Sequence, residues 1–210
     1  MWRAYFCLEV QTLRLVQPIR SVTKIKKMKE AAAASSPRDA ALLEVGFQTA
    51  LRIQDILSLH VGDVATCDRG KWKVSFYIRI TEMKTGKQKF IKLVPSARQA
   101  ICSQLENLEH KNNHGDWLFP SRVHGGDKSL SRWQAARMIK KFAKEAGVTE
   151  PVSCHSLRKS FGYHVFHNGV DVMYLKEIYN HADISITKRY IGITQDDINT
   201  VYQKAGMIYG

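Results

Sequence analysis

The sequence predicts a mixed α+β fold, mainly helical with one small antiparallel sheet. Three observations predict it. After Pro95, apolar residues recur at helical spacing almost to the end of the chain. Over residues 72–81, Trp72, Val74, Phe76, Ile78 and Ile80 alternate with Lys73, Ser75, Tyr77, Arg79 and Thr81, the period of a strand with one buried face. A turn at Lys84-Thr85-Gly86-Lys87 then leads to a second strand, 88–94, ended by Pro95. The sheet is therefore a β-hairpin whose tip is loaded with lysine.

The elements follow in order. Residues 1–16, MWRAYFCLEVQTLRLV, are fairly apolar, but Arg3, Glu9 and Arg14 keep any apolar run well short of the ~18 residues of a membrane span. This stretch can be a packed strand or a short helix, and it shows no signal-peptide cleavage site. Residues 1–17 stand as an N-terminal extension, and the domain proper runs over 18–210. Residues 21–34 read as a lysine-rich helix ending in alanines. Ser36-Pro37-Arg38-Asp39 is a helix start, with Ser at the cap, Pro in the first turn and an acid three later, opening a core helix over 37–49. A short helix over 52–59 is stopped by Gly62-Asp63. After the hairpin come helices at 96–109, 131–146, 155–168, 171–180, 184–191 and 195–205, the last closed by Gly206. Residues 110–128 form a polar loop. No internal repeat is visible.

Composition narrows the function. The chain has 210 residues, enough for one sizeable core, with 44% hydrophobic and 24% charged residues. Lys and Arg number 32 against 19 Asp and Glu, a net charge of +13. A domain this basic usually meets a polyanion, and a nucleic acid comes before an acidic membrane surface. Cys7, Cys67, Cys102 and Cys154 form no CxxC pair and no metal-ligand or disulfide spacing. They read as reduced thiols of a cytoplasmic protein. Cys154 adjoins His155, but sequence neighbours seldom face each other, so no Cys–His catalytic pair is expected.

One set of residues carries chemistry: Arg52, Lys84, His155, Arg158, His181 and Tyr190. Breaking a phosphodiester without a metal requires neutralised charge on the phosphoryl group, an in-line nucleophile and a proton for the leaving oxygen. Arginine suits the first task, because its planar fork binds two phosphate oxygens at once. A lysine and a histidine can move protons, and a tyrosine can attack and keep the bond energy in a phosphoester.

These residues carry a resemblance. TALRIQDILSLHVGDV (49–64) resembles the first arginine box of the tyrosine recombinases, the phage-integrase family. HSLRKSFGYHVFHNGVDVMYLKEIYNHADISITKRYIGI (155–193) resembles the second. Its His155-x-x-Arg158, Asn168-Gly169, Asn180-His181 and Tyr190, nine residues after His181, fall in the family's order, and MKTGK (83–87) resembles its catalytic-lysine turn. The resemblance spans residues 45–195 and implies the family's catalytic fold. It also implies roles. Arg52 and Arg158 would hold the phosphate, and Lys84 would protonate the leaving 5′ oxygen. His155 would exchange a proton with Tyr190 or support the phosphate. His181 would bond a phosphate oxygen, and Tyr190 would form a 3′-phosphotyrosine. Asp55 would orient the active-site cations.

The resemblance implies a site-specific recombinase or integrase acting on double-stranded DNA as a tetramer, with no metal or other cofactor and no membrane partner. A type IB topoisomerase-like enzyme and a non-catalytic DNA-binding protein of the same fold are the alternative readings. Two positions depart from the family pattern. Ala50 stands where Gly is usual, and a Cβ there would crowd the turn. Asn180 stands where Gly often precedes the histidine, and Asn tolerates the left-handed backbone. Family members usually carry an N-terminal DNA-clamping domain, and only residues 1–17 precede the core here. The stretch from about 194, with Ile198, Val201, Tyr202 and Ala205, either docks on a neighbouring protomer or folds back on its own core.

Overall fold

The computed structural model describes residues 16–69, 71–108 and 113–209, so the expectations for residues 1–15 lie outside it. Ser21 caps α1 (Val22–Ser35), its hydroxyl accepting from the Lys24 amide at 3.3 Å. Ser36 caps α2 (Pro37–Gln48) by accepting from the Asp39 amide at 3.2 Å, at the predicted start. Two short helices follow, α3 (Ile53–Leu57) and α4 (Val61–Val64). Then come the strands β1 (Ala65–Asp68), β2 (Lys71–Val74), β3 (Tyr77–Thr81) and β4 (Gln88–Lys92). The helices α5 (Pro95–Glu106), α6 (Arg132–Glu145), α7 (Cys154–His167), α8 (Val172–Tyr179), α9 (Ile184–Ile191) and α10 (Gln195–Tyr209) complete the order.

α2 is the central helix, packed against α1, α5 and α7. Leu42, Leu43, Val45 and Phe47 are all buried in the main core, with Ile56, Leu59, Ile78, Ile101, Phe119, Ile139 and Phe142. A smaller core of Ala50, Leu175, Tyr179 and Ile191 joins α8 and α9 to the end of α2, with Phe161 and Tyr190 packed on it. No helix among the described residues is long and apolar enough to cross a membrane.

The sheet differs from expectation. The strand expected over 72–81 is two strands, broken at Ser75 and Phe76. β2 pairs antiparallel with β1, which periodicity had not marked, and β3 pairs with β4, so the described residues form two two-stranded sheets. Val74, Ile78 and Ile80 are buried as the alternation requires, but Phe76 is exposed at 58%. The guanidinium of Arg98 lies 4.1 Å over the Phe76 ring and covers part of its apolar surface. The second hairpin lies against the end of α8, where Lys87 and Lys89 have partners.

The tail also differs. Gly206 does not close α10, which continues to Tyr209. Ile198, Val201, Tyr202, Met207 and Ile208 on it are exposed, so the helix does not fold back on its own core. Asp197, near its start, holds it to α7 by accepting from His167 Nε2 at 2.8 Å.

Candidate active site

Arg158 is the fixed point of the site. It sits on α7, one turn from the Ser153 cap, and is 4% exposed. Its Nη1 donates to the Ala50 carbonyl and its Nη2 donates to the Tyr179 carbonyl at 3.1 Å, while its guanidinium lies 4.7 Å over the Tyr179 ring. Tyr179 returns the contact, its hydroxyl donating to the Arg158 carbonyl at 2.8 Å. Two of the five guanidinium N–H groups are engaged by backbone, which orients the fork and leaves the others for an anion. Burial depresses the guanidinium below its ordinary value, yet arginine starts so high that it stays charged.

The first box supplies the carbonyl that anchors it. Ala50 has φ +54°, the left-handed region. The expected effect of an alanine here is therefore backbone strain, of about 1 kcal/mol. This turn directs the Ala50 carbonyl at Arg158. Arg52 follows as the N-cap of α3 and is half-buried. Its Nη1 pairs with Glu82 Oε1 at 2.9 Å and lies 3.9 Å from Asp55 Oδ2. Asp55 is 1% exposed and accepts from the Met83 amide at 3.1 Å through Oδ1, so it touches both the arginine and the hairpin.

Lys84, Lys87 and Lys89 of the hairpin divide. Lys87 Nζ donates to Asn180 Oδ1 at 2.9 Å. Lys89 Nζ donates to the Ile178 carbonyl at 2.7 Å and pairs with Glu82 at 2.9 Å. These bonds dock the hairpin on the end of α8. Lys84, in the turn, is exposed, and its ammonium has no partner among the described residues.

His155 opens α7 and is exposed, whereas His181 is half-buried after α8, its Nδ1 3.0 Å from Thr187 Oγ1. Asn180 ends α8 in the left-handed conformation, φ +54°, as its residue type allows. Partial desolvation by its neighbours, despite its exposed edge, and the charges of Arg132, Arg158, Lys159 and Arg52 hold His155 below its ordinary value. Burial and the charges of Arg158 and Arg52 do the same to His181. In both, the surroundings favour the neutral imidazole. Tyr190 on α9 packs edge-on against His181 and Tyr179, with ring centroids 5.4 and 5.1 Å apart, and Lys159 Nζ lies 5.1 Å from its ring centre. Burial raises its phenol, and the charges of Arg158 and Arg52 offset part of that rise. Thus Arg158, His181 and Tyr190 lie together around Tyr179, Arg52 follows the Ala50 carbonyl that holds Arg158, and Lys84 stands on the hairpin that Arg52 touches through Glu82.

Sequence reasoning missed three residues. Glu82 is fully buried between Arg52 and Lys89. A lone acid at a strand end carries no periodic signal. Tyr179 is also fully buried, and burial pushes its phenol well above its ordinary value. With its hydroxyl held by a carbonyl, it is a scaffold for Arg158. Gly162 makes that possible, because a Cβ there would lie 2.1 Å from the Tyr179 hydroxyl. Cys154 is buried, which raises its thiol, and its Sγ faces the Arg132 carbonyl at 4.0 Å, the environment of a structural thiol.

The model of the phage integrase family matches residues 21–196. The probable integrase/recombinase YoeC of Bacillus subtilis is 36% identical over 195 residues, covering 92% of this chain and 99% of YoeC. The tyrosine recombinase XerD of Listeria innocua is 28% identical over 200 residues, 93% of this chain but 64% of XerD. Among solved structures, XerA recombinase superposes with a TM-score of 0.71 at 24% identity over 90% of this chain and 64% of that one. The XerH site-specific recombinase in its post-cleavage complex with a palindromic difH substrate gives a TM-score of 0.66 at 18% identity, over 85% of this chain and 50% of XerH. The likeness to XerA and XerH is one of fold. The family match and the 36% identity with YoeC go further: the chain belongs to the phage integrase family, the tyrosine recombinases, enzymes of DNA strand cleavage and rejoining.

Proposed function

We propose that this chain is a site-specific DNA recombinase that cuts one strand with Tyr190 and passes it to another duplex. One observation carries the reading. Arg158 is held by the carbonyls of Ala50, two residues before Arg52, and of Tyr179, and Tyr190 packs on Tyr179 and His181, so residues far apart in sequence meet.

Arg158, fixed by two carbonyls, and Arg52, fixed by Glu82, hold the non-bridging oxygens of the scissile phosphate and stabilise the charge that builds on them. Tyr190 Oη attacks phosphorus, and the bond to the 5′ oxygen breaks. Tyr190 remains a phenol near neutral pH, so its proton leaves during attack, and neutral His155 takes it. Lys84, the hairpin lysine without a partner, gives its proton to the departing 5′ oxygen. His181 donates a hydrogen bond to a phosphate oxygen, its ring oriented by Thr187. A 5′ hydroxyl reverses the sequence and reseals the strand. Asp55 orients Arg52. The exposed apolar residues of α10 support assembly of four copies on two DNA sites.

A covalent-trap assay tests the reading. The protein is mixed with supercoiled and randomised duplex DNA, quenched in detergent and examined for protein-linked DNA, alongside Tyr190→Phe and Tyr179→Phe. The reading requires an adduct in the parent that disappears in Tyr190→Phe. An adduct that survives Tyr190→Phe would refute it.

A further inference from the structure

The hairpin raises a question that the six catalytic positions leave open: what holds Arg52 and the Lys84 turn in register, given that they lie on different elements? Glu82 touches both. It is the last residue before the turn and is fully buried. Its Oε1 accepts from Arg52 Nη1 and Lys89 Nζ, each at 2.9 Å, and its Oε2 accepts from Thr85 Oγ1 at 2.7 Å. Its backbone closes the turn as well. The Glu82 amide donates to the Lys87 carbonyl at 2.9 Å, and the Glu82 carbonyl accepts from the Gly86 amide at 2.8 Å. Lys84 lies within this loop. The next acid near Arg52, Asp55, stands off at 3.9 Å and already accepts from the Met83 amide.

Burial works against a charge on Glu82, but bonds from Lys89 and Thr85 and the charges of Lys89 and Arg52 outweigh it, and the carboxyl titrates below its ordinary value. A buried carboxylate with two cations and a hydroxyl around it has fixed geometry. Moving it moves the arginine and the turn together.

We propose that Glu82 is a positioning residue that sets Arg52, which holds the phosphate, and the turn of Lys84, which protonates the leaving oxygen, as one rigid unit. This rests on the function proposed above. The two arms are separable by chemistry. A duplex with a 5′-bridging phosphorothiolate breaks a P–S bond, and the thiolate departs with the electron pair without needing a proton. Lys84 is then dispensable, whereas Arg52 is still required.

The experiment uses duplexes recovered from a randomised pool as covalent complexes with the parent, made in phosphodiester and phosphorothiolate forms. Glu82→Gln keeps the shape and removes the charge. It slows adduct formation about 100-fold on the phosphodiester, and by only about tenfold on the phosphorothiolate, where the Arg52 arm alone is felt. Thr85→Val leaves both ion pairs and loosens only the turn. It slows the phosphodiester about tenfold and leaves the phosphorothiolate rate at the parent's. Equal losses on the two substrates for either variant would overturn the proposal, as would parental rates for both variants. If Glu82→Gln fails to fold, Thr85→Val decides alone. If the parent traps no duplex while it binds DNA, the function proposed above fails, and this proposal with it.

Discussion

Gly162→Ala measures how tightly the site is built. Gly162 lies one turn beyond Arg158 on α7, and alanine there would ordinarily stabilise a helix by about 1 kcal/mol. The structure predicts the opposite. The new Cβ would sit 2.1 Å from the Tyr179 hydroxyl, 3.0 Å from Tyr179 Cζ and 2.6 Å from Ile191 Cγ2. Neither neighbour is a loose surface group, since both belong to the small core under the site. Overpacking costs about 1–3 kcal/mol. Pushing the phenol off the Arg158 carbonyl loses a buried hydrogen bond worth about 1 kcal/mol. The net is a loss of about 2 kcal/mol after the helix gain, or about 4–8 °C in Tm for a domain of this size. Urea and thermal unfolding read it. In a Tyr179→Phe background the closest contact is absent, so the same substitution costs about 1 kcal/mol less. Cleavage falls beyond the loss of folded protein, because Tyr179 anchors Arg158 and Ile191 adjoins Tyr190. A Gly162→Ala protein as stable as the parent, or more so, would refute the packing account.

Other perturbations test other parts. Ala50→Val puts a β-branched residue at a positive φ and destabilises by about 2 kcal/mol by thermal unfolding, with cleavage reduced because the carbonyl that holds Arg158 moves. The pH dependence has a fixed sign. Folding favours the neutral forms of His155 and His181, so cleavage stays level as pH falls through the ordinary histidine value of about 6.5 and drops only below it. His155→Gln removes that acid limb of the rate profile. Stability responds in the same direction: the unfolded chain protonates both histidines first, so stability declines as pH falls below about 6.5, and declines again in stronger acid as Glu82 is protonated. Deleting residues 195–210 removes an exposed helix and one His167–Asp197 pair, so unfolding shifts by less than about 1 kcal/mol, while assembly on DNA measured by native gel or light scattering is lost.

What the sequence disclosed and what it concealed divide along physical lines. Helix ends marked by Ser36 and Asn180 were legible because caps and left-handed residues act locally, and α9 spans the expected 184–191. The nearness of Arg158, His181 and Tyr190 was legible because the spacing between them is set within the consecutive helices α7, α8 and α9. The break at Ser75 was hidden, because alternation continues through it, and only pairing with β1 on one side and β4 on the other separates the halves. The choice among Lys84, Lys87 and Lys89 depends on contacts to Asn180 and Ile178, roughly ninety residues away. Glu82, Tyr179 and Gly162 concern packing between segments remote in sequence, which no local pattern carries.

The central claim is that Tyr190, and no other tyrosine, takes the strand. Peptide mapping of the covalent adduct tests it most directly. The adduct is trimmed with nuclease, digested with trypsin and sequenced by tandem mass spectrometry. Residues 177–188 and 190–204 fall in separate peptides, carrying Tyr179 and Tyr190 with Tyr202 respectively. The account predicts the nucleotide remnant on Tyr190. A remnant on Tyr179, on Tyr202 or on any serine would contradict it.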